Sequence, residues 1–163
     1  MDLDKAAASD RLLFEQVGRL TVAWAHLEFS LDAMIFLIHR TMDGALYEKK
    51  LPRPLERKIE YLRSAFSRLG IAEIDLPRYE QFLVDIETAA VTRHDVVHGF
   101  PIHHPSDTGE AKLVRLIIEK DHWAQREITI DIAVVAAAVD MTMKLAGKAQ
   151  KWATVMFNYW DAN

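Results

Sequence analysis

Thr92-Arg93-His94-Asp95-Val96-Val97-His98-Gly99-Phe100 closes one kind of pattern and opens another. Upstream, apolar residues recur at helical spacing: Tyr79, Phe82, Leu83, Ile86, Ala90, Arg93 and Val97 form one stripe, beginning near Leu76-Pro77. Gly99 and then Pro101 end it. Arg93 thus falls on the inward stripe, where a charge needs a partner or a chemical task.

Downstream the period changes. Pro105-Ser106-Asp107-Thr108-Gly109 is a loop by its turn residues. Residues 112–119 and 123–130 are rich in β-branched and aromatic side chains, with Glu119-Lys120-Asp121-His122 between them, and predict a β-hairpin. Thr129 or Asp131 then caps a last helix reaching about Tyr159. Its stretch from Ile132 to Val139 is apolar nearly all round, which implies burial on several sides or an oligomer contact. Trp152, Phe157, Tyr159 and Trp160 complete a core or a dimer contact.

Further upstream, residues 9–42 read as one long helix, capped by Ser9 or Asp10. Its stripe is Val17, Leu20, Trp24, Leu27, Leu31, Met34, Ile35 and Ile38, and Asp43-Gly44 ends it. Leu51-Pro52-Arg53-Pro54 makes an extended linker, because proline disfavours helix in the residue before it. A second helix covers 55–69 and stops at Gly70. The fold expected is mainly α: an up-and-down bundle of about four helices, with a β-hairpin inserted at 100–130 before the last.

At 163 residues the chain reads as one domain. It has no cysteine, so thiolate metal sites and disulfides are excluded, and no uncharged apolar run is long enough to span a bilayer. With no secretory signal at Met1-Asp2-Leu3-Asp4-Lys5, the expectation is a cytoplasmic protein off the membrane. A net charge of −4 argues against a broad basic face that coats nucleic acid, though not against a local grip on a few phosphates. Lys49, Lys50, Arg53, Arg57 and Lys58 form a modest basic patch around the first linker.

Three constellations carry chemistry. Arg93 with His98 joins a fixed cation, able to hold a phosphate, to a group that moves protons near neutrality. That is a minimal kit for RNA transesterification without a metal or cofactor. At i,i+5 the two point about 140° apart on a regular helix, so their convergence calls for a fray at Gly99 or for a second subunit. His94 and His98, at i,i+4 with Asp95 between, match a zinc-binding spacing in which His103, His104 or His122 would supply a third ligand. Glu28, in Trp24-Ala25-His26-Leu27-Glu28, sits at the edge of the first helix's inward stripe and predicts a salt bridge to Arg93.

A long first helix carrying Trp-Ala-x-Leu-Glu, and a later helix ending Arg-His-x-x-x-His-Gly, resemble the HEPN superfamily of helical bundles with an Arg-x4–6-His motif. The resemblance implies that Arg93 and His98 are the active pair of a metal-independent ribonuclease, with His94 supporting and Glu28 and Asp95 in auxiliary roles. It also implies a homodimer whose motifs face one cleft, RNA as substrate, and a toxin or defence role beside a cognate antitoxin-like protein. The rival expectations are a non-catalytic interaction module held by Glu28–Arg93 and a metal-dependent hydrolase built on His94 and His98.

Overall fold

Turn and cap residues set the boundaries of the elements. The computed structural model describes residues 3–69, 75–103, 110–119 and 122–161. In order these form α1 (Leu3–Thr41), α2 (Gly44–Tyr47), α3 (Leu55–Leu69), α4 (Leu76–His98), β1 (Phe100–His103), β2 (Glu110–Glu119), β3 (His122–Asp131) and α5 (Ile132–Asp161). The fold is mainly α, with an antiparallel hairpin, β2–β3, before the last helix. The helix stop at Gly70, the loop at 105–109 and the turn at 120–121 lie outside the described residues.

Several boundaries differ from the sequence reading, each for a local reason. α1 starts at Leu3 rather than at Ser9, because Leu3-Asp4-Lys5-Ala6-Ala7-Ala8 contains nothing that stops a helix. Asp43 ends it in a left-handed conformation, φ 56°, and the chain then makes the short α2 before the extended proline segment. Asp75 caps α4 by accepting the Arg78 N–H at 3.2 Å. β1 is a strand that the sequence pattern concealed, since it is four residues long and contains Pro101. It pairs with β2 to give a sheet of order β1-β2-β3. Pro101 is tolerated there because β1 is an edge strand, irregular between Pro101 and His103.

Asp131 settles the start of α5: its Oδ1 accepts the Ala133 N–H at 2.7 Å. Asp131→Ala removes that acceptor and is expected to cost about 1 kcal/mol. The measurement is the urea unfolding midpoint, and an unchanged midpoint would show that the cap contributes nothing.

The chain divides into two compact units, one of Met1–Trp24 with Thr88–Thr142, the other of Ala25–Glu87 with Met143–Asn163. The core of the first unit joins Leu13 and Leu20 of α1, Val96 of α4, Ala111, Leu113 and Ile130 of the sheet, and Ile132, Val135 and Val139 of α5. The core of the second is built on four helices. Phe66 of α3 stacks on Tyr79 of α4 with centroids 3.6 Å apart, and Trp152 of α5 stands edge-on to both. Leu27, Leu31, Met34, Ile35 and Ile38 of α1 are buried in that unit. The side chains of Tyr159 and Trp160 are outside the description.

α1 has a second apolar side. Phe14, Val22, Phe29 and Phe36 are more than half exposed, while the inward stripe is buried. Together the two sides give the Asp10–Thr41 stretch the length and hydropathy of a bilayer-crossing helix, with 39% of its most apolar window buried in the protein. Scanning for uncharged runs passes over this, because charged residues lie between the apolar ones.

Candidate active site

The site lies in the first unit, at the last turns of α4. Its apolar stripe reaches the core through Ala89 and Val96 rather than through Ala90 and Val97, which are only half-buried. Arg93 lies between Ala89 and Val96 on that side, half-buried. Its guanidinium carbon stands 5.8 Å from the centroid of the buried Trp24 ring. Such a face-on cation–π contact holds the group over the ring without neutralising it.

Arg93 Nη1 is 3.4 Å from His98 Nε2. Arginine can only donate, so a hydrogen bond here requires His98 Nε2 as the acceptor, with the ring proton on Nδ1. The convergence needs neither a frayed helix nor a second chain: α4 is helical through His98, and the arginine side chain spans the angular gap. Gly99 follows because of close approach. A Cβ there would come within 2.6 Å of the Asp95 carbonyl oxygen and 2.9 Å of Leu113 Cβ.

Glu28 and Arg93 belong to different compact units, so the expected clamp falls within neither. Arg93 makes no ion pair with any described carboxylate, and its Nε is buried with no acceptor. Glu28, half-exposed in the second unit, makes no ion pair with any described cation. An unanswered buried N–H costs about 1–3 kcal/mol, so Arg93 is held in a state that an incoming anion would relieve.

The histidines divide by environment. His94 is exposed, and its ring centroid is 4.7 Å from that of His98. Its pKa is lowered, first by desolvation and then by the charges of Arg115, His98 and Arg93, with Asp95 opposing. His94 is therefore neutral at pH 7 and can accept a proton there. Its NMR titration midpoint is expected below 6.5, and Arg115→Gln should move it upward by removing a cation. A midpoint that stays put would remove Arg115 from the site's field.

Asp95 faces a different task from the one that a zinc spacing suggests. Its Oδ1 accepts from Arg115 Nη1 of β2 at 2.9 Å, tying helix to sheet, so it is not presented to a water between the histidines. Among the described residues no group of three His, Asp or Glu side chains is placed to hold a metal ion. His122 is at the start of β3, the His103 side chain is undescribed, and His104 lies outside the described residues.

Two of the five cations in the basic patch of the first linker are paired, while Lys49, Lys50 and Arg53 are exposed. Lys58 is buried and its Nζ lies 2.7 Å from Asp32, while Arg57 is shared between Glu60 at 2.8 Å and Glu48 at 3.4 Å. Two site residues escaped the sequence reading. Trp24 was assigned to a core stripe and also supports Arg93. Arg115 alternates with Leu113 and Ile117 on the core-side face of β2, and a cation at such a position signals a buried anion.

No family model, curated protein or solved structure matches this chain.

Proposed function

We propose that the chain is a HEPN-like, metal-independent endoribonuclease that acts as a cytoplasmic homodimer. The observation that carries the reading is the state of Arg93: a fixed cation with no carboxylate partner among the described residues, its Nη1 3.4 Å from His98 Nε2. A scissile phosphate fits that vacancy in charge, and guanidinium matches its non-bridging oxygens in a bidentate way.

In the proposed step, His98 Nε2 takes the proton of the ribose 2′-hydroxyl, whose oxygen attacks the adjacent phosphorus. Arg93 holds the charge that builds on the phosphoryl oxygens. The P–O5′ bond breaks and the 5′-oxygen takes the proton that His98 had accepted, giving a 2′,3′-cyclic phosphate and a 5′-hydroxyl end and restoring His98. His94, neutral at pH 7, supports the exchange.

The homodimer draws support from apolar surface in the same unit. Phe14, Val22, Val91 and Val134 are each more than half exposed, and Val134 belongs to the nearly all-apolar start of α5. Exposed large side chains of this kind suit a protein partner. A toxin or defence role restrained by a cognate antitoxin-like protein belongs to the same proposal, and the non-catalytic interaction module is its rival.

The test is incubation of single-stranded RNA with the purified protein in excess chelator, with the product ends read by mass spectrometry. Cyclic phosphate ends support the reading. Intact RNA, or cleavage that requires an added divalent ion, overturns it.

A further inference from the structure

A second site stands in the other unit, built where α1 turns through Asp43 into α2 beside α3. A cavity of about 400 Å³ opens there, with Ile38 and Met42 among its apolar lining. Its polar lining includes the carboxylates of Asp43, Glu48 and Glu60 against the guanidiniums of Arg57 and Arg68. A pocket of this size takes a small molecule.

One observation independent of that charge points to a ligand. Tyr61 lines the cavity and is 8% exposed, yet its hydroxyl is buried without a hydrogen-bond partner among the described residues. A buried unpaired hydroxyl destabilises a fold, so its retention asks for a partner that arrives from outside. Gly44 lies against this hydroxyl, and a Cβ there would overlap it. Asp43, the one described non-glycine residue at positive φ, 56°, shapes the rim. Its side chain makes no cap hydrogen bond to α2, so the usual local compensation for this conformation is missing. The turn instead sets an exposed carboxylate at the cavity's edge.

Electrostatics fixes the sign of the occupant. Arg57 is answered twice, by Glu60 and by Glu48, so its charge is already matched. Three carboxylates face two guanidiniums in the lining, and burial and then the Glu48 carboxylate raise the Tyr61 pKa to about 12. The phenol is thus neutral, and its oxygen retains lone pairs to accept from a donor.

We propose that this cavity binds a small organic cation, a primary ammonium on an apolar body, whose N–H groups bond the Tyr61 oxygen and the Glu48 carboxylate. The apolar body packs on Ile38 and Met42, and Asp43 faces the charge from the rim.

The experiment titrates the full chain by calorimetry with three probes of one shape: benzylammonium, benzyl alcohol and phenylacetate. Benzylammonium is expected to bind about tenfold or more tighter than either of the others, the worth of one charged hydrogen bond. Tyr61→Phe keeps the ring and removes only the unpartnered oxygen. It should weaken benzylammonium by a similar factor while leaving the melting temperature unchanged or higher. Glu48→Gln provides a second arm with the same expected loss. Equal binding of all three probes, preference for phenylacetate, no binding at millimolar benzylammonium, or full affinity in both variants would each overturn the proposal.

Discussion

Arg93→Ala is expected to reduce metal-independent RNA cleavage by about 10²–10³-fold or more, the cost of removing a group that holds transition-state charge. His98→Ala should fall in a similar range, about 10²–10⁴-fold for a proton-transfer group. The double variant should be hardly worse than either single one, because groups that act as a unit are not additive. Arg93→Lys should not rescue. An ammonium keeps the charge but loses the planar fork and the Nη1 contact with His98.

Stability separates this reading from its rival. Arg93 has no carboxylate partner among the described residues and buries an unpaired Nε, so its removal leaves no counter-charge stranded. The urea midpoint of Arg93→Ala is expected to stay level or rise, apart from the packing lost over Trp24. An interaction module clamped through Arg93 behaves in the opposite way, with a loosened fold and no cleavage to lose. Measuring activity and unfolding on the same preparation therefore decides between them.

What the sequence allowed and what it hid follow from the reach of each signal. The extents of α3 and α4 are legible, because a 3.6-residue stripe is a local feature. The pairing of Arg93 with His98 was legible as a motif, yet its geometry looked forbidding on helical angles alone. Those angles describe Cβ directions, and an arginine reaches far past its Cβ. The Glu28–Arg93 clamp is a different case. Two inward-facing charges of opposite sign are a pairing rule with no distance in it, and sequence carries no information on which stretches of two long helices share a compact unit. Arg115 was invisible as a partner for Asp95 because the two are twenty positions apart and a strand register lies between them. The unpartnered Tyr61 hydroxyl cannot be read from any pattern, since the lack of a partner is a property of three-dimensional packing.

Asp95→Ala should be the most damaging single change near the site to the stability of the fold. The Asp95–Arg115 pair is 15% and 24% exposed by side chain, so both charges are largely out of water. Breaking a buried pair from one side costs about 3–5 kcal/mol, because the remaining charge is stranded. The residual exposure of Arg115 reduces that to about 2–4 kcal/mol. The register adds to the penalty. Arg115 lies directly across from Arg126 on β3, and Arg126 makes no ion pair with any described residue. With Asp95 gone, two like charges face each other on adjacent strands, an arrangement that is destabilising in itself. Asp95→Ala with Arg115→Leu removes both charges and should recover most of the loss, as a hydrophobic replacement of a whole pair does. His94 reports the same event independently. Asp95 is the neighbour that opposes the lowering of its pKa, so the His94 midpoint should fall further in Asp95→Ala. In the double variant Arg115 is gone as well, and the midpoint should return upward. Equal unfolding midpoints for wild type and Asp95→Ala would show that the pair is a surface contact. A His94 midpoint that rises in Asp95→Ala would show that the charges around the site are arranged otherwise.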